Sequence, residues 1–388
     1  MVRTDSKLGR IALMVAHCAG MVDLVALPVW VGTLISRYGL DPQQAGGLVT
    51  LFLAGAVVSS LVFAPRFNRI RGRLAAPLGF VLAAAAFFAV SNTTDFLTLA
   101  LLHALAGLSA GCGLSFTHGT IGRSANPHRL FAVVGIALGI FAIVFFAAVP
   151  QLIAKTGGPA LFVVFGCVML LAAVVGAFAF PVPDAEPQDT SRAQGKLAPA
   201  VWFAVFGVAC MGLVQAMMFS FVERIGTDSG FGFAAVSGVL IAIGFVNLTP
   251  APLAVLLQRR LAAHQVVLAG PVLQAVLALF ITQSSSFVPY AVATAMLPAI
   301  IIFTHTFAFG LLARLDPSGR AVAATPAMLM IGAAIGPVLG GTLTKVAGYG
   351  SLGLAAVLVA TLAVFCFWRA RPQPLAASAS LKNLEPAK

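Results

Sequence analysis

Apolar residues run in long, nearly unbroken stretches along this chain, and the polar ones gather between them. Twelve stretches reach the length of a membrane-crossing helix: about 10–34, 45–64, 74–91, 96–120, 130–153, 160–180, 199–221, 233–256, 265–283, 287–312, 321–344 and 350–368. At about 1.5 Å of rise per residue, a hydrocarbon core about 30 Å thick needs about 20 apolar residues. Barrel strands would be about ten residues long and would alternate apolar with polar, which these runs do not. The pattern predicts an all-α integral membrane fold of twelve transmembrane helices. Connections are short except at 181–198, where Pro181-Val-Pro-Asp-Ala-Glu-Pro-Gln-Asp-Thr-Ser-Arg192 reads as a polar linker. The linker divides a six-helix half over 1–180 from a second over 199–370, and a polar tail follows over 371–388.

One interruption of the apolar pattern stands out. Leu8 to Ile35 reads as a single long helix with one carboxylate, Asp23, at its centre. About twelve residues lie on each side, so Asp23 falls near the bilayer midplane. An ionised Asp costs at least about 2.5 kcal/mol there. Of the 11 acidic residues, Asp23 is the only one that these spans place deep inside a helix. It is either a structural Asp satisfied by backbone or hydroxyl groups, or a proton or cation site in a pathway.

Composition sharpens the class. The chain has 388 residues, 60% of them hydrophobic and 9% charged, with a mean hydropathy of +1.02. A soluble domain cannot hide that much apolar surface behind so few charges. The net charge of +12 does not imply nucleic-acid binding, because the basic residues sit at helix ends, where a membrane protein meets its cytoplasm. With the N-terminus inside, only Arg37, Lys155, Arg224 and Lys345 face out, leaving 19 of the 23 basic residues on the cytoplasmic side. This predicts a multi-pass protein of the cell (inner) membrane with both termini cytoplasmic. The first stretch is too long for a signal-peptide core and lacks a cleavage site after it. All five cysteines lie in apolar runs without metal-ligand spacing and read as buried thiols.

The two halves echo each other. Gly47 and Arg69 recur as Gly238 and Arg260, displaced by 191; Arg123, Gly135 and Gly139 recur as Arg320, Gly332 and Gly336, displaced by 197. These pairs fall on spans two against eight and five against eleven, as a duplication of six helices requires. Halves related in this way would place a site between them at the midplane.

Three local motifs join this pattern. Span eleven carries Gly332-Ala-Ala-Ile-Gly336-Pro337-Val-Leu-Gly340-Gly341, small residues that let helix backbones approach, with a proline bend. The connection between spans two and three carries Leu61-Val-Phe-Ala-Pro65-Arg66-Phe-Asn68-Arg69, and span four carries His103-Ala-Leu-Ala-Gly107-Leu-Ser-Ala-Gly111-Cys-Gly113. Over nearly its whole length the chain resembles the major facilitator superfamily. The span-eleven run matches the family's Gly-x-x-x-Gly-Pro-x-x-Gly-Gly pattern at every position. The family associates that motif with antiporters when it lies in span five, where this chain keeps only Gly135 and Gly139. In the cytoplasmic loop Arg66 and Arg69 match the family pattern, but Pro65 replaces its Asp, which removes the charge of the family's latch between the halves. His103 takes the place of an Arg that partners protonatable carboxylates in proton-coupled members.

The resemblance implies that spans 1, 4, 7 and 10 line a central cavity. The intramembrane ionisable residues fall there: His17 and Asp23 on span 1, His103 and His118 on span 4, and His305 on span 10. Span 7 adds Gln215, with Glu223 just beyond its expected outer end. Asp23 and His103 are the expected proton-coupling pair, and His17, His118, Gln215 and His305 the expected cavity contacts. Competing readings are wet interfacial histidines for His17 and His118, cross-helix hydrogen bonding for Asn247, and an interfacial anchor for Trp30. No Lys or Arg lies deep in the membrane, which leans toward neutral, amphipathic or cationic substrates. There is no phosphate-binding loop, metal-ligand cluster or His-Glu-x-x-His motif. The expectation is a secondary active transporter and not an enzyme, with no cofactor and no metal. Its partners would be a small-molecule substrate, protons and the lipid bilayer, with no nucleic acid, and it is expected to act as a monomer. Proton-coupled export of a small amphipathic compound is the leading reading. Proton-driven uptake of a small organic acid or other nutrient is the alternative.

Overall fold

The computed structural model describes residues 2–184, 197–316 and 325–371. Arg192 and Lys196 of the linker, Arg320, and Lys382 and Lys388 of the tail lie outside them. Among the described residues there are twelve apolar spans, formed by fourteen α-helices. They are α1 (Lys7–Gly20), α2 (Val22–Tyr38), α3 (Pro42–Phe63), α4 (Gly72–Val90), α5 (Phe96–Gly122), α6 (Pro127–Thr156) and α7 (Pro159–Ala179), then α8 (Pro199–Asp228), α9 (Phe233–Val246), α10 (Pro250–Leu257), α11 (Ala263–Gln283), α12 (Phe287–Leu315), α13 (Thr325–Ala347) and α14 (Gly350–Arg369). The only extended pairing among the described residues is one isolated bridge, Arg3 to Val182.

Two spans are not the single helices expected. The first breaks at Met21 (φ −110°, ψ 21°), which separates α1 from α2. Gly20, the weakest helix former in the run, precedes the break and is pressed onto α5: a Cβ there would stand 2.7 Å from Leu114 Cδ1. Asp23 therefore lies not in mid-helix but in the first turn of α2, where free amides and the helix dipole favour a negative charge. The eighth span breaks over Asn247–Thr249, just before Pro250. Pro250 takes the first position of α10, where its missing N–H leaves no helical bond unmade and its fixed φ suits a helix start. Asn247 sits in that break, and its Oδ1 has no hydrogen-bond partner, contrary to the expected cross-helix bond. A third difference is length. α8 continues to Asp228, so Glu223 lies inside a span and not beyond its end.

The packing is asymmetric from end to end. One apolar core runs through the first six spans and takes in Val214, Phe221, Ile225, Tyr290 and Leu297 from the last six. A separate core holds Val201, Val208, Met211, Val267, Phe307 and Phe367, at the terminus-bearing ends of α8, α11, α12 and α14. The division falls between Met211 and Val214, midway along α8. The joint between the two groups of spans lies at the opposite end. There Pro42 O fills the space a Cβ on Gly341 would need, and Pro337 O does the same at Gly46. The Val338 N–H donates to Thr50 Oγ1 at 3.2 Å, and Lys345 Nζ reaches Asp41 Oδ2 at 2.9 Å. α6 meets α9 near mid-height, with Ile143 against Gly244 and Leu248 against Gly139. The molecule is thus closed at the end carrying Asp41 and Lys345, and its two groups of spans have separate cores at the other.

The glycines of the span-eleven motif explain part of that closure. Gly332, Gly336 and Gly340 lie along α8, facing Ala209 O, Met217 N and the Phe221 ring. A Cβ at Gly336 would stand 2.6 Å from Met217 N. Gly341 turns instead toward α3, so one small-residue run packs on two helices.

Candidate functional site

The break in the first span builds the site around Asp23. Val22, Val25 and Ala26 are buried, while Asp23 is half-buried and Leu24 is 46% exposed, so this turn looks outward from the core. The backbone amides of Asp23 and Leu24 are the carboxylate's hydrogen-bond donors. No basic side chain pairs with Asp23 among the described residues. Gly32, where α2 seats on α8, lies nine residues on, about 13.5 Å along the helix; Asp23 is on the open side of that contact.

His103 is not beside Asp23. It is fully buried between α2, α4, α5 and α7. Its Nδ1–H donates to Leu99 O at 2.7 Å, and its Nε2 accepts from Trp30 Nε1 at 3.3 Å. Both ring nitrogens are thus used by the neutral imidazole. Trp30 is no interfacial anchor either. It has no exposed surface and sits among Phe165, Phe52 and Phe87 at ring distances of 4.8, 5.2 and 5.8 Å. Its spacing from Asp23 suggested a shared face, but the aromatic partners that enclose it come from α3, α4 and α7, which no local pattern reveals.

His17 and His118, expected separately, are brought together. His17 Nδ1 and His118 Nε2 are 3.0 Å apart, joining α1 to α5 three residues before the break. One nitrogen donates and the other accepts, so the pair holds a single shared proton along that line. The Phe131 ring of α6 stands edge-on to His118 at 5.7 Å. On the other side of the molecule, Gln215 and His305 are buried, and Gln215 Oε1 and His305 Nε2 have no protein partner. Phe309 stacks on the His305 ring at 5.8 Å. These orphaned atoms on α8 and α12 are free to bond a bound molecule or water.

In the connection after α3, Arg66 Nη1 donates to its own helix at Val62 O, 2.6 Å away. Arg69 has no side-chain partner among the described residues. Arg123, from the end of α5, covers the Phe67 ring at 4.4 Å and bonds Asn68. A cation–π contact and a hydrogen bond from Arg123, with no acidic partner, therefore hold this loop where the acid–base latch of the family would be. The residue that sequence reasoning placed outside the membrane is Glu223. Its Oε2 is buried without a partner, directly against Gly32 of α2. The available signal was the apolar stretch Phe219-Ser-Phe-Val222 running up to it.

The family model of the Major Facilitator Superfamily matches residues 12–318, well over half of the chain. The chain belongs to the major facilitator superfamily. Among solved structures, it is similar to a bacterial homolog of the human lysosomal transporter Spinster in two inward-facing states. The occupied state superposes with a TM-score of 0.69 at 14% identity, over 93% of this chain and 95% of that one. The unoccupied state superposes with a TM-score of 0.72 at 14% identity, over 94% and 98%. At that identity the likeness establishes the major facilitator fold alone. No curated protein sequence matches the chain. The protein is a multi-pass membrane transporter of the secondary type.

Proposed function

We propose that this transporter exports small amphipathic compounds in exchange for protons, by alternating access, with its termini and linker in the cytoplasm of a cell (inner) membrane. The observation that carries the reading is Asp23, an acid without a cation partner, half-buried at the break of a broken helix. A neutral carboxyl is at ease at that depth, while an ionised one needs water or a bound cation. A group so placed gains a proton where water is scarce and gives it up where water enters, as access alternates. A cationic amphipath that competes for the carboxylate would tie its own release to proton entry. The orphaned Gln215 Oε1 and His305 Nε2 supply neutral contacts, and the lack of deep Lys or Arg favours neutral or cationic cargo.

The test is transport in proteoliposomes under an imposed pH gradient, with candidate amphipathic cations and organic acids as separate cargoes. Accumulation of the cations against the direction of proton flow supports export. Asp23→Asn should abolish gradient-driven accumulation and leave exchange intact, because the amide keeps the shape and cannot carry the proton. Full gradient-driven activity in that variant would remove Asp23 from the coupling. Movement of organic acids along with protons, and of no cations, would favour uptake instead. A reporter fused after Arg192 should read as cytoplasmic.

A further inference from the structure

Glu223 is a second acid of the spans without a basic partner among the described residues, at the level of Gly32, about 13.5 Å along α2 from Asp23. It lies on α8 where that helix meets α2, within the closed end. Its Oε2 is buried with no hydrogen-bond partner and fills the space a Cβ on Gly32 would need. Its Oε1 faces Thr227 Oγ1 at 3.2 Å, but the same hydroxyl is nearer the carbonyl oxygen of Glu223, at 2.9 Å. A threonine hydroxyl has one hydrogen. Given to the carbonyl, that hydrogen leaves Oε1 without a donor; shared, it bonds Oε1 only weakly, and Oε2 has no donor in either case.

No neighbouring base forms an ion pair with Glu223 among the described residues. Arg224, next in the chain, is held by Asp228, Nη2 to Oδ1 at 2.5 Å. Asp228 Oδ2 in turn accepts from Tyr349 at 2.6 Å. On α12, Tyr290 donates to Val222 O at 2.6 Å and offers Glu223 no proton. At the end of α13, Lys345 is taken by Asp41. On α2 the facing residue is Gly32, and Arg37 and Tyr38 lie beyond it against Gly158. α9 carries no titratable residue over Phe233–Val246. The nearest titratable residue farther down α12 is His305, about four turns below Tyr290 at the spacing of an α-helix.

We propose that Glu223 is a proton-binding site that governs the closed end: α2 seats on α8 when the Glu223 carboxyl is protonated, and the two part when it is not. An ionised carboxylate whose Oε2 is buried against glycine has no cation partner and little water at that oxygen, so loss of the proton favours separation of the helices until water reaches Oε2. Separation of α2 from α8 exposes Glu223 to the solution on that side only. The proton that seals the closed end therefore comes from that side, and the one carried by Asp23 is handled on the other. The site extends the proposed proton coupling but does not need Asp23 to be its carrier.

The experiment measures the closed end directly. Spin labels on T94C and S285C, exposed residues of the α4–α5 and α11–α12 connections, report the distance across that end in a full-length chain whose five native cysteines are replaced. Nanodisc samples are titrated from about pH 5 to about pH 9, and the distance distribution is recorded at each step. The short, closed distance should dominate at low pH. The closed-to-open ratio should fall by up to about tenfold per pH unit, the limit for one proton. E223Q should hold the low-pH distribution across the range, and D23N should titrate as the parent does. A parent titration retained in E223Q overturns the proposal; if D23N alone abolishes it, the Asp23 reading stands and this one falls. Flat titration in E223Q with full proton-driven transport in D23N supports this proposal and removes the other. Should E223Q fail to fold, G32A decides: its methyl competes with Oε2 for the same space, so it must lower the closed fraction at every pH. An unchanged closed fraction in G32A overturns the proposal.

Discussion

At the scale of single residues, burial and hydrogen bonding separate the histidines that hold the fold from the groups available for transport. His103 has both ring nitrogens engaged, by Leu99 O and by the Trp30 indole. Trp30→Phe keeps the ring and removes the donor, leaving a buried His103 Nε2 without a partner. That loss is worth about 1–3 kcal/mol and should appear as a lower midpoint of thermal unfolding in detergent. A Trp30→Phe protein as stable as the parent would mean that the bond contributes nothing. Proton coupling that survives this change would place His103 outside the coupling; its loss would restore His103 to it. His17 and His118 differ, since they bond each other at 3.0 Å. Replacing either by Phe orphans the other, so the double variant should be less destabilised than the sum of the two singles. The interaction energy of such a contacting pair is about 0.5–3 kcal/mol in an unfolding cycle. Strict additivity would show that the two rings are neighbours only.

At the scale of helices, two breaks and one seam set the geometry. The breaks have different causes, crowding of Gly20 by Leu114 of α5 and Pro250 at the start of α10. The first places an acid at a helix N-terminus, the best site on a helix for a negative charge. The seam is α13 on α8. Gly336→Leu must fit a side chain where even a Cβ would stand 2.6 Å from Met217 N, and overpacking of this kind costs about 1–3 kcal/mol or more. Ala333→Leu, one turn away at a half-buried position, should be tolerated much better. The comparison is read as the yield of monodisperse protein and as transport rate. Equal tolerance of the two substitutions would mean that close approach of α13 to α8 is not required.

At the scale of the whole molecule, the closed end is held by backbone contacts at Gly46 and Gly341, by Thr50, and by the ion pair between Asp41 and Lys345. Partial burial of Asp41 opposes its charge, but the Gln44 amide, the Lys345 ammonium and the Gln43 amide outweigh it and hold the carboxyl below its usual range. A depressed carboxyl contributes to closure in full above the ordinary Asp value of about 3.9 and loses that contribution as pH falls through the lowered one. Both side chains are substantially exposed, at 34% and 47%, so the pair is worth about 1 kcal/mol or less. Asp41→Asn should therefore reduce the closed fraction slightly and equally at all pH values above that range, by the spin-label distance across the closed end. A pH-dependent effect of Asp41→Asn near neutrality would contradict this assignment. The sign is opposite to that proposed for Glu223, where acid seals the end, and the two act in separate pH windows.

Hydropathy alone determined the class, the number of spans and their approximate limits, because crossing a membrane requires about 20 consecutive apolar residues whatever their neighbours. The Gly-Pro run of span eleven was legible for the same reason, since small residues at a spacing of four let a helix be approached closely wherever it packs. The identity of the partners was not legible. Nothing in the spacing of Asp23 and Trp30 says that one ends half-buried at a helix break and the other inside a cage of phenylalanines from three other helices. Nor does the chain announce that His17 finds His118, or that Glu223 meets Gly32. Those pairings depend on rotations and breaks of whole helices, and the breaks come from crowding against neighbours, as at Gly20, as well as from local propensity. Which end is closed is decided still later, by contacts between residues about 300 positions apart, such as Asp41 and Lys345. Such contacts exist only once both groups of spans have folded and met.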